Sequence, residues 1–248
     1  HSIRDAGATP TVDLKVRPWG RIEGALRIGH RPGIGETLNL AYERQGDTNA
    51  AIPHWGGTAR TADEGRFVFE RVIPGEVTIS REILLKQSAS SRTVGNSHTV
   101  GVDVAPGATA RLTMGGTGRP VAGKVILPNG SAGPIDWTYS NNSLIPKPTM
   151  FQKLFGFGAR KGTSVPRGVG YTIKLEADGS FRVEDVEPGT YDLLIVVNQP
   201  PRDPFGIGLG TNVLATAHRE LVVPPMPGGR SDEPLDVGAI PVVAIKQP

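Results

Sequence analysis

Cysteine is absent from the 248 residues. Neither a disulfide nor a thiolate metal site can therefore hold the fold together, and its stability must come from packing. Aromatic residues are also scarce, at 6% of the chain. Long apolar runs are missing too. The longest, Leu193 to Val197, is far too short to cross a bilayer. The sequence predicts no membrane span.

Runs of one charge sign are also lacking. The 27 basic and 24 acidic residues are interspersed and leave a net charge of +3. This pattern predicts a solvated, mildly cationic surface and no nucleic-acid partner.

Helical periodicity is nearly absent, and strand periodicity takes its place. The 33 glycines and 22 prolines together exceed their usual share of a chain, which favours turns over long helices. Segments such as 11–17 and 36–42 alternate apolar and polar residues, as half-buried strands do. Seven such strands are predicted before Gly115, and turn sequences such as "VIPGE" and "VAPGA" separate them. The first hundred or so residues are therefore predicted to form one antiparallel β-sandwich.

One phrase occurs twice in the chain. "DEGRFVFERVIPGEVTI" at 63–79 returns as "DGSFRVEDVEPGTYDLLI" at 178–195, with Phe67 and Phe181 separated by 114 residues. Each copy describes an Asp/Gly turn, a short strand with a core aromatic, a Pro-Gly turn and a long strand. This offset predicts an internal structural repeat.

A glycine within the opening strand of each copy supports the repeat. Gly24 and Gly123 lie only 99 residues apart, so the second copy has gained about 15 residues before its phrase. The predicted structural core residues are Phe67, Phe181, Tyr191, Gly24 and Gly123.

The second copy resembles the carboxypeptidase regulatory-like domain, on the strand "RPVAGKVILPNG" and the phrase "ADGSFRVEDVEPGTYDLLIVV". The first copy is similar more loosely, with Val77 where the second has Tyr191. The resemblance implies two transthyretin-like β-sandwiches that serve as accessory modules of an exported bacterial protein. The order of the two modules also looks like the ancillary region of larger bacterial proteins that continue into a thioredoxin-like domain.

The predicted fold is therefore all-β, with two consecutive antiparallel β-sandwiches of about seven strands each. Their expected ranges are 11–116 and 117–246, and the second carries a partly helical insert at about 139–169. A periplasmic or extracellular location follows from the resemblance, with membrane tethering through regions outside this sequence.

The first residue, His1, is a candidate copper ligand. An amino-terminal His1 can bind copper through its amine and ring when a second histidine is near, and His30, His54, His98 and His218 are candidates by position only. None stands in a pattern resembling copper oxidases, so no metal and no cofactor is predicted.

Motifs for dinucleotide binding, nucleophilic catalysis and calcium binding are also missing from the sequence. "GIGLG" at 206–210 does not have the dinucleotide-binding spacing, and no GxSxG sequence or DxDxDG calcium loop occurs. The acidic residues Asp63, Glu64, Asp178 and Asp185 lie in the repeated phrase, where aspartate is expected to form turns through its own backbone.

Two stretches are candidate binding surfaces. The insert concentrates apolar and basic residues, which either cover their own sandwich or contact a neighbouring domain or protein: Phe151, Leu154, Phe155, Phe157, Arg160 and Lys161. Trp55 lies in a predicted loop and could stack on a sugar ring, whereas Trp19 and Trp137 border strands and are expected to close the ends of cores.

The sequence thus favours a non-catalytic pair of modules that acts as spacer and interaction region. A carbohydrate-binding module is the alternative, with polysaccharide as partner, and a copper oxidase is a more distant one.

Overall fold

The computed structural model describes residues 16–42, 56–88, 92–128, 135–137, 142–147, 170–200, 213–226 and 232–245. These residues form sixteen strands and one three-residue 3-10 turn, Asp63–Gly65, and they contain no α-helix. The all-β class predicted from the alternation is confirmed. Most of the insert, at 139–141 and 148–169, lies outside the described residues.

The N-terminal half contains eight strands in two sheets. They are β1 Gly20–Ile28, β2 Arg31–Pro32, β3 Thr37–Tyr42, β4 Gly56–Arg60, β5 Arg66–Val72, β6 Gly75–Gln87, β7 Arg92–Val104 and β8 Thr109–Met114. One sheet has the order β4-β3-β6-β7, and in the other β1 is flanked by β5 and β8, with β2 at its end.

The C-terminal half contains the other eight strands. They are β9 Arg119–Ile126, β10 Ser143–Pro146, β11 Tyr171–Thr172, β12 Ser180–Val186, β13 Gly189–Asn198, β14 Val213–Val223, β15 Leu235–Pro241 and β16 Val243–Ala244. One sheet has the order β11-β10-β13-β14-β16 and the other β12-β9-β15. Apart from β2 and β16, each strand of one half has a counterpart in the other.

The buried side chains form two separate clusters. One draws on both sheets of the N-terminal half, from Ile22 on β1 to Met114 on β8. The other, from Val121 to Val242, does the same in the C-terminal half. Apolar residues enclosed between two sheets are the arrangement of a β-sandwich.

The repeated glycine and phenylalanine occupy matching registers. Gly24 lies opposite Phe67 on β5, and Gly123 lies opposite Phe181 on β12. Each phenylalanine is only 3% exposed. A Cβ atom at Gly24 would lie 2.5 Å from the Phe67 ring, and one at Gly123 would lie 2.9 Å from the Phe181 ring. Glycine therefore leaves room in each half for the ring on the neighbouring strand.

The sequence predicted purely antiparallel sheets, but two of the strand pairs are parallel. β8 runs parallel to β1, and β15 runs parallel to β9. The chain passes from one sheet to the other between β7 and β8, so β8 arrives beside β1 in the same direction. Alternation of apolar residues does not encode this direction, because a strand buries the same face whichever way it runs.

Candidate functional site: a buried histidine–aspartate pair between the halves

A short glycine-rich segment, residues 115–118, joins the two halves and wraps around one carboxylate. The backbone N–H groups of Gly116 and Gly118 donate to the Asp185 carboxylate at 2.6 and 2.7 Å. Gly115 and Gly116 have φ of 66° and 86°. A Cβ at Gly115 would lie 2.3 Å from the Arg27 carbonyl oxygen, so glycine is required for this close approach.

Asp185 meets a histidine from the other half. The Nε2 atom of His98, on β7, lies 3.2 Å from Oδ2 of Asp185, on β12. Both residues lie where the strand register shifts, and both have positive φ, of 51° and 55°. Such bulges redirect side chains, and Asp and His are among the residue types that tolerate this backbone conformation best. The two bulges therefore turn these side chains toward each other.

The pair extends to a third side chain. Nδ1 of His98 lies 2.9 Å from the Ser97 hydroxyl. Because an ionised carboxylate only accepts, His98 must donate from Nε2. The Ser97 hydroxyl can then donate to a neutral ring or accept from a protonated one. Both charge states of His98 are therefore satisfied by hydrogen bonds.

The carboxylate is ionised although it is buried. Burial alone would raise the pKa of Asp185, but the hydrogen bonds and charge of His98 and the N–H groups of Gly116 and Gly118 lower it below its ordinary value. The Asp185 side chain is 0% exposed and that of His98 is 2% exposed. Among the described residues, these are the only buried members of the Asp, Glu, Lys, Arg and His classes. The junction thus contains a buried charge that three N–H donors stabilise.

Further polar contacts surround this pair. The Asn96 N–H donates to the Thr172 hydroxyl at 2.9 Å, and Lys86 lies 3.4 Å from Asp136. His30 pairs with Asp232. Each contact joins a residue of the N-terminal half to one of the C-terminal half, so the two halves meet along an extended interface.

Ser97, His98 and Asp185 are the side-chain types of a hydrolase triad, but their setting favours a structural role. Clefts of about 180 and 220 Å³ flank the pair. His98 lines one cleft and Asp185 the other, but the imidazole is only 2% exposed and the carboxylate 0% exposed. No group of three or more histidine, aspartate or glutamate side chains in the described ranges could hold a metal ion.

The described residues include only some of the predicted site residues. His1, Trp55, Phe151, Leu154, Phe155, Phe157, Arg160 and Lys161 lie outside the described residues, as does His54. Trp137 packs against the C-terminal core, whereas Trp19 is 46% exposed. Tyr191 is buried and donates its hydroxyl proton to the Glu187 carbonyl at 2.8 Å.

The expectation for Asp185 is wrong. It does not form a turn through its own backbone. It lies in β12 and accepts hydrogen bonds from the connecting segment, residues 115–118, and from His98. Asp178 does form the expected turn, because its carboxylate accepts from the Ser180 N–H at 3.0 Å. One sequence signal distinguishes Asp185: the first copy of the phrase has Arg71 at the same place.

No protein-family model matches the chain, and no curated protein matches it. Within the described ranges, no helix has the length and apolar character needed to cross a membrane.

Several solved structures show a distant likeness. A candidate carbohydrate-binding protein of Pseudomonas aeruginosa is 19% identical, covers 40% of this chain and 88% of its own, and has a TM-score of 0.27. The minor pilin of Streptococcus agalactiae is 10% identical over 92% of this chain and 98% of its own, with a TM-score of 0.29. A candidate cell-adhesion protein of Bacteroides fragilis is 9% identical over 94% and 98%, also with 0.29. TM-scores of this size carry no functional inference, which must rest on the residues of this chain.

Proposed function

We propose that the chain is a non-catalytic pair of β-sandwich modules, at about 11–116 and 117–246, that acts as a rigid spacer and interaction region of an exported bacterial protein. The observation that carries this proposal is the buried pair of His98 and Asp185. A flexible link between modules needs no buried charge, whereas this one is shared between the halves and is anchored to the connecting segment. Once formed, such a pair is costly to separate, since each group would lose its partner.

Limited proteolysis of the connecting segment tests this function. In the wild type, proteinase K should leave residues 115–118 uncut, because Asp185 fixes two of their N–H groups. Asp185→Ala should release the segment and yield two fragments of nearly half the chain each. Asp232→Asn is the matched control, since it weakens a second histidine pair across the same interface but one that is half-exposed. Rapid cleavage of the wild-type segment would contradict a rigid spacer.

The interaction surface is proposed to be the insert with Phe151, Phe155, Phe157, Arg160 and Lys161. Its described flanks support this, because Pro146 and Gly170 both line the cleft beside His98. A partner held there would contact both halves at once. Hydrogen exchange at residues 149–162 in the fragment and in the full-length protein tests this, and equal protection would overturn it.

An exposed, coplanar row of aromatic rings would favour a carbohydrate-binding module. In the described ranges the phenylalanine rings are buried, and Trp19 is the only large aromatic that is well exposed. Electrophoresis through polysaccharide-containing gels should therefore show unchanged migration. Retardation that Trp55→Ala abolishes would favour the carbohydrate-binding module instead.

A further inference from the structure

The first and last strands of the N-terminal half are direct neighbours. β8 pairs with β1 in parallel register from Arg21 opposite Thr109 to Leu26 opposite Met114. Because the strands are parallel, the chain enters β1 at one end of the pair and leaves β8 at the other. Tension applied between these two points slides the strands past each other along their length.

The C-terminal half has a similar pair, formed by its first strand and by β15, which the two-residue strand β16 follows beside β14. β15 pairs with β9 in parallel register from Val121 opposite Leu235 to Ile126 opposite Pro241, with one register shift on the way. Its chain also enters and leaves at opposite ends of the pair. A pull along the whole chain therefore meets a parallel strand pair in each half.

Sliding loads the hydrogen bonds of a strand pair together, so they must fail at nearly the same moment. Pulling a hairpin apart from its open end instead loads the bonds one after another, and each fails separately. Resistance to force is a property of the unfolding barrier and not of the equilibrium stability. The direction of pull thus matters more than the number of bonds.

Side chains reinforce both pairs. Arg111 on β8 forms an ion pair with Glu23 on β1 at 3.2 Å. The Arg119 guanidinium on β9 donates to the Glu233 carbonyl, just before β15, at 3.0 and 3.1 Å. Met114 on β8 and Ile240 on β15 are fully or almost fully buried and belong to the cores of their halves, so each core holds its strand at one point.

The path of tension continues between the halves. It runs from β8 into residues 115–118, which Asp185 holds by two hydrogen bonds, and then into β9. We propose that the chain is built to carry tension along its length, with the parallel pairs β1–β8 and β9–β15 resisting it in the two halves. This inference rests on the proposed spacer function, to which it adds a mechanical role.

Single-molecule force spectroscopy on the N-terminal half within the full chain tests this role. Since the chain has no cysteine, two introduced cysteines define the pulling axis uniquely. Arg17→Cys with Thr117→Cys loads β1 and β8 in the sliding direction. Glu76→Cys with Ala105→Cys opens the β6–β7 hairpin from its end, and all four positions are exposed.

The sliding axis should show a mean unfolding force at least about twofold higher than the hairpin axis, because its bonds fail together. This is expected although the hairpin has the longer ladder, from Gly75 opposite Val104 to Gln87 opposite Arg92. The released chain identifies each event. At about 3.5 Å per residue, residues 20–114 extend to roughly 330 Å on the sliding axis, whereas the chain between Glu76 and Ala105 extends to only about 100 Å on the hairpin axis.

A sliding force equal to or below the hairpin force would overturn the mechanical role. That outcome would leave the spacer function intact if the connecting segment still resists proteolysis. If instead the segment is cut readily while the sliding force is high, the rigid spacer fails and the mechanical property of the half stands.

Discussion

Replacing Asp185 with alanine should destabilise the protein far more than any exposed carboxylate substitution. The change leaves the Gly116 and Gly118 N–H groups and the His98 Nε2 donor without their common acceptor. Each buried unsatisfied donor costs about 1 to 3 kcal/mol. The three costs do not simply add, because water can enter from the flanking clefts and the glycine segment can move. Breaking one partner of a buried pair typically costs about 3 to 5 kcal/mol, and we expect Asp185→Ala to fall in that range.

Urea unfolding followed by circular dichroism measures this loss, with Asp232→Asn as the control. The control removes a charge from a half-exposed pair with His30 and should cost at most about 1 kcal/mol. His98→Ala, which leaves the carboxylate with its two backbone donors, should cost less than Asp185→Ala. A loss below about 1 kcal/mol for Asp185→Ala, similar to the control, would refute the role assigned to the buried pair.

Four further predictions concern stability. Phe67→Ala and Phe181→Ala should each cost about 3 to 5 kcal/mol in urea unfolding, as buried aromatics do, and a loss under about 1 kcal/mol would disprove their anchor role. Gly123→Ala should cost about 1 to 3 kcal/mol, because its Cβ would lie 2.9 Å from the Phe181 ring, and an unchanged midpoint would contradict this packing. The lowered pKa of Asp185 contributes stability that is present above its unfolded pKa of about 3.9 and is lost as pH falls through the folded value. The stability gap to Asp185→Ala should therefore narrow in acid, and a constant gap would argue against an ionised carboxylate. Burial raises the pKa of Tyr191 to about 12, so its contribution is present below about pH 10 and is lost as pH rises toward that value. Tyr191→Phe should flatten the alkaline limb of the stability profile, and an unaltered limb would count against this shift.

The apolar pattern and the repeat correctly predicted the all-β class and the position of several strands. Leu38 and Leu40 alternate as predicted and are buried on β3. The repeat offset placed the two phenylalanines in equivalent registers because each local phrase specifies a turn, a strand and a second turn. Strand β4, Gly56–Arg60, was not predicted, since "GGTAR" has no apolar alternation.

These sequence patterns did not predict the buried pair of His98 and Asp185. Its members are 87 residues apart and belong to different halves, and each lies at a bulge that the alternation does not reveal. A second feature shows the same limit. The backbone N–H before each Pro-Gly turn donates to a tyrosine hydroxyl: the N–H of Ile73 donates to Tyr42, and the N–H of Glu187 donates to Tyr171. Ile73 and Glu187 obey the repeat offset, but the two tyrosines come from strands that are not counterparts.

The most direct test of a rigid pair is the distance between the halves measured by pulsed electron spin resonance. Spin labels on Thr109→Cys and Val222→Cys, both exposed, report on one site in each half without competing cysteines. The proposed rigid spacer predicts a single narrow distance distribution in the wild-type background and a broad one when Asp185→Ala is added. A broad distribution in the wild-type background, unchanged by Asp185→Ala, would contradict it.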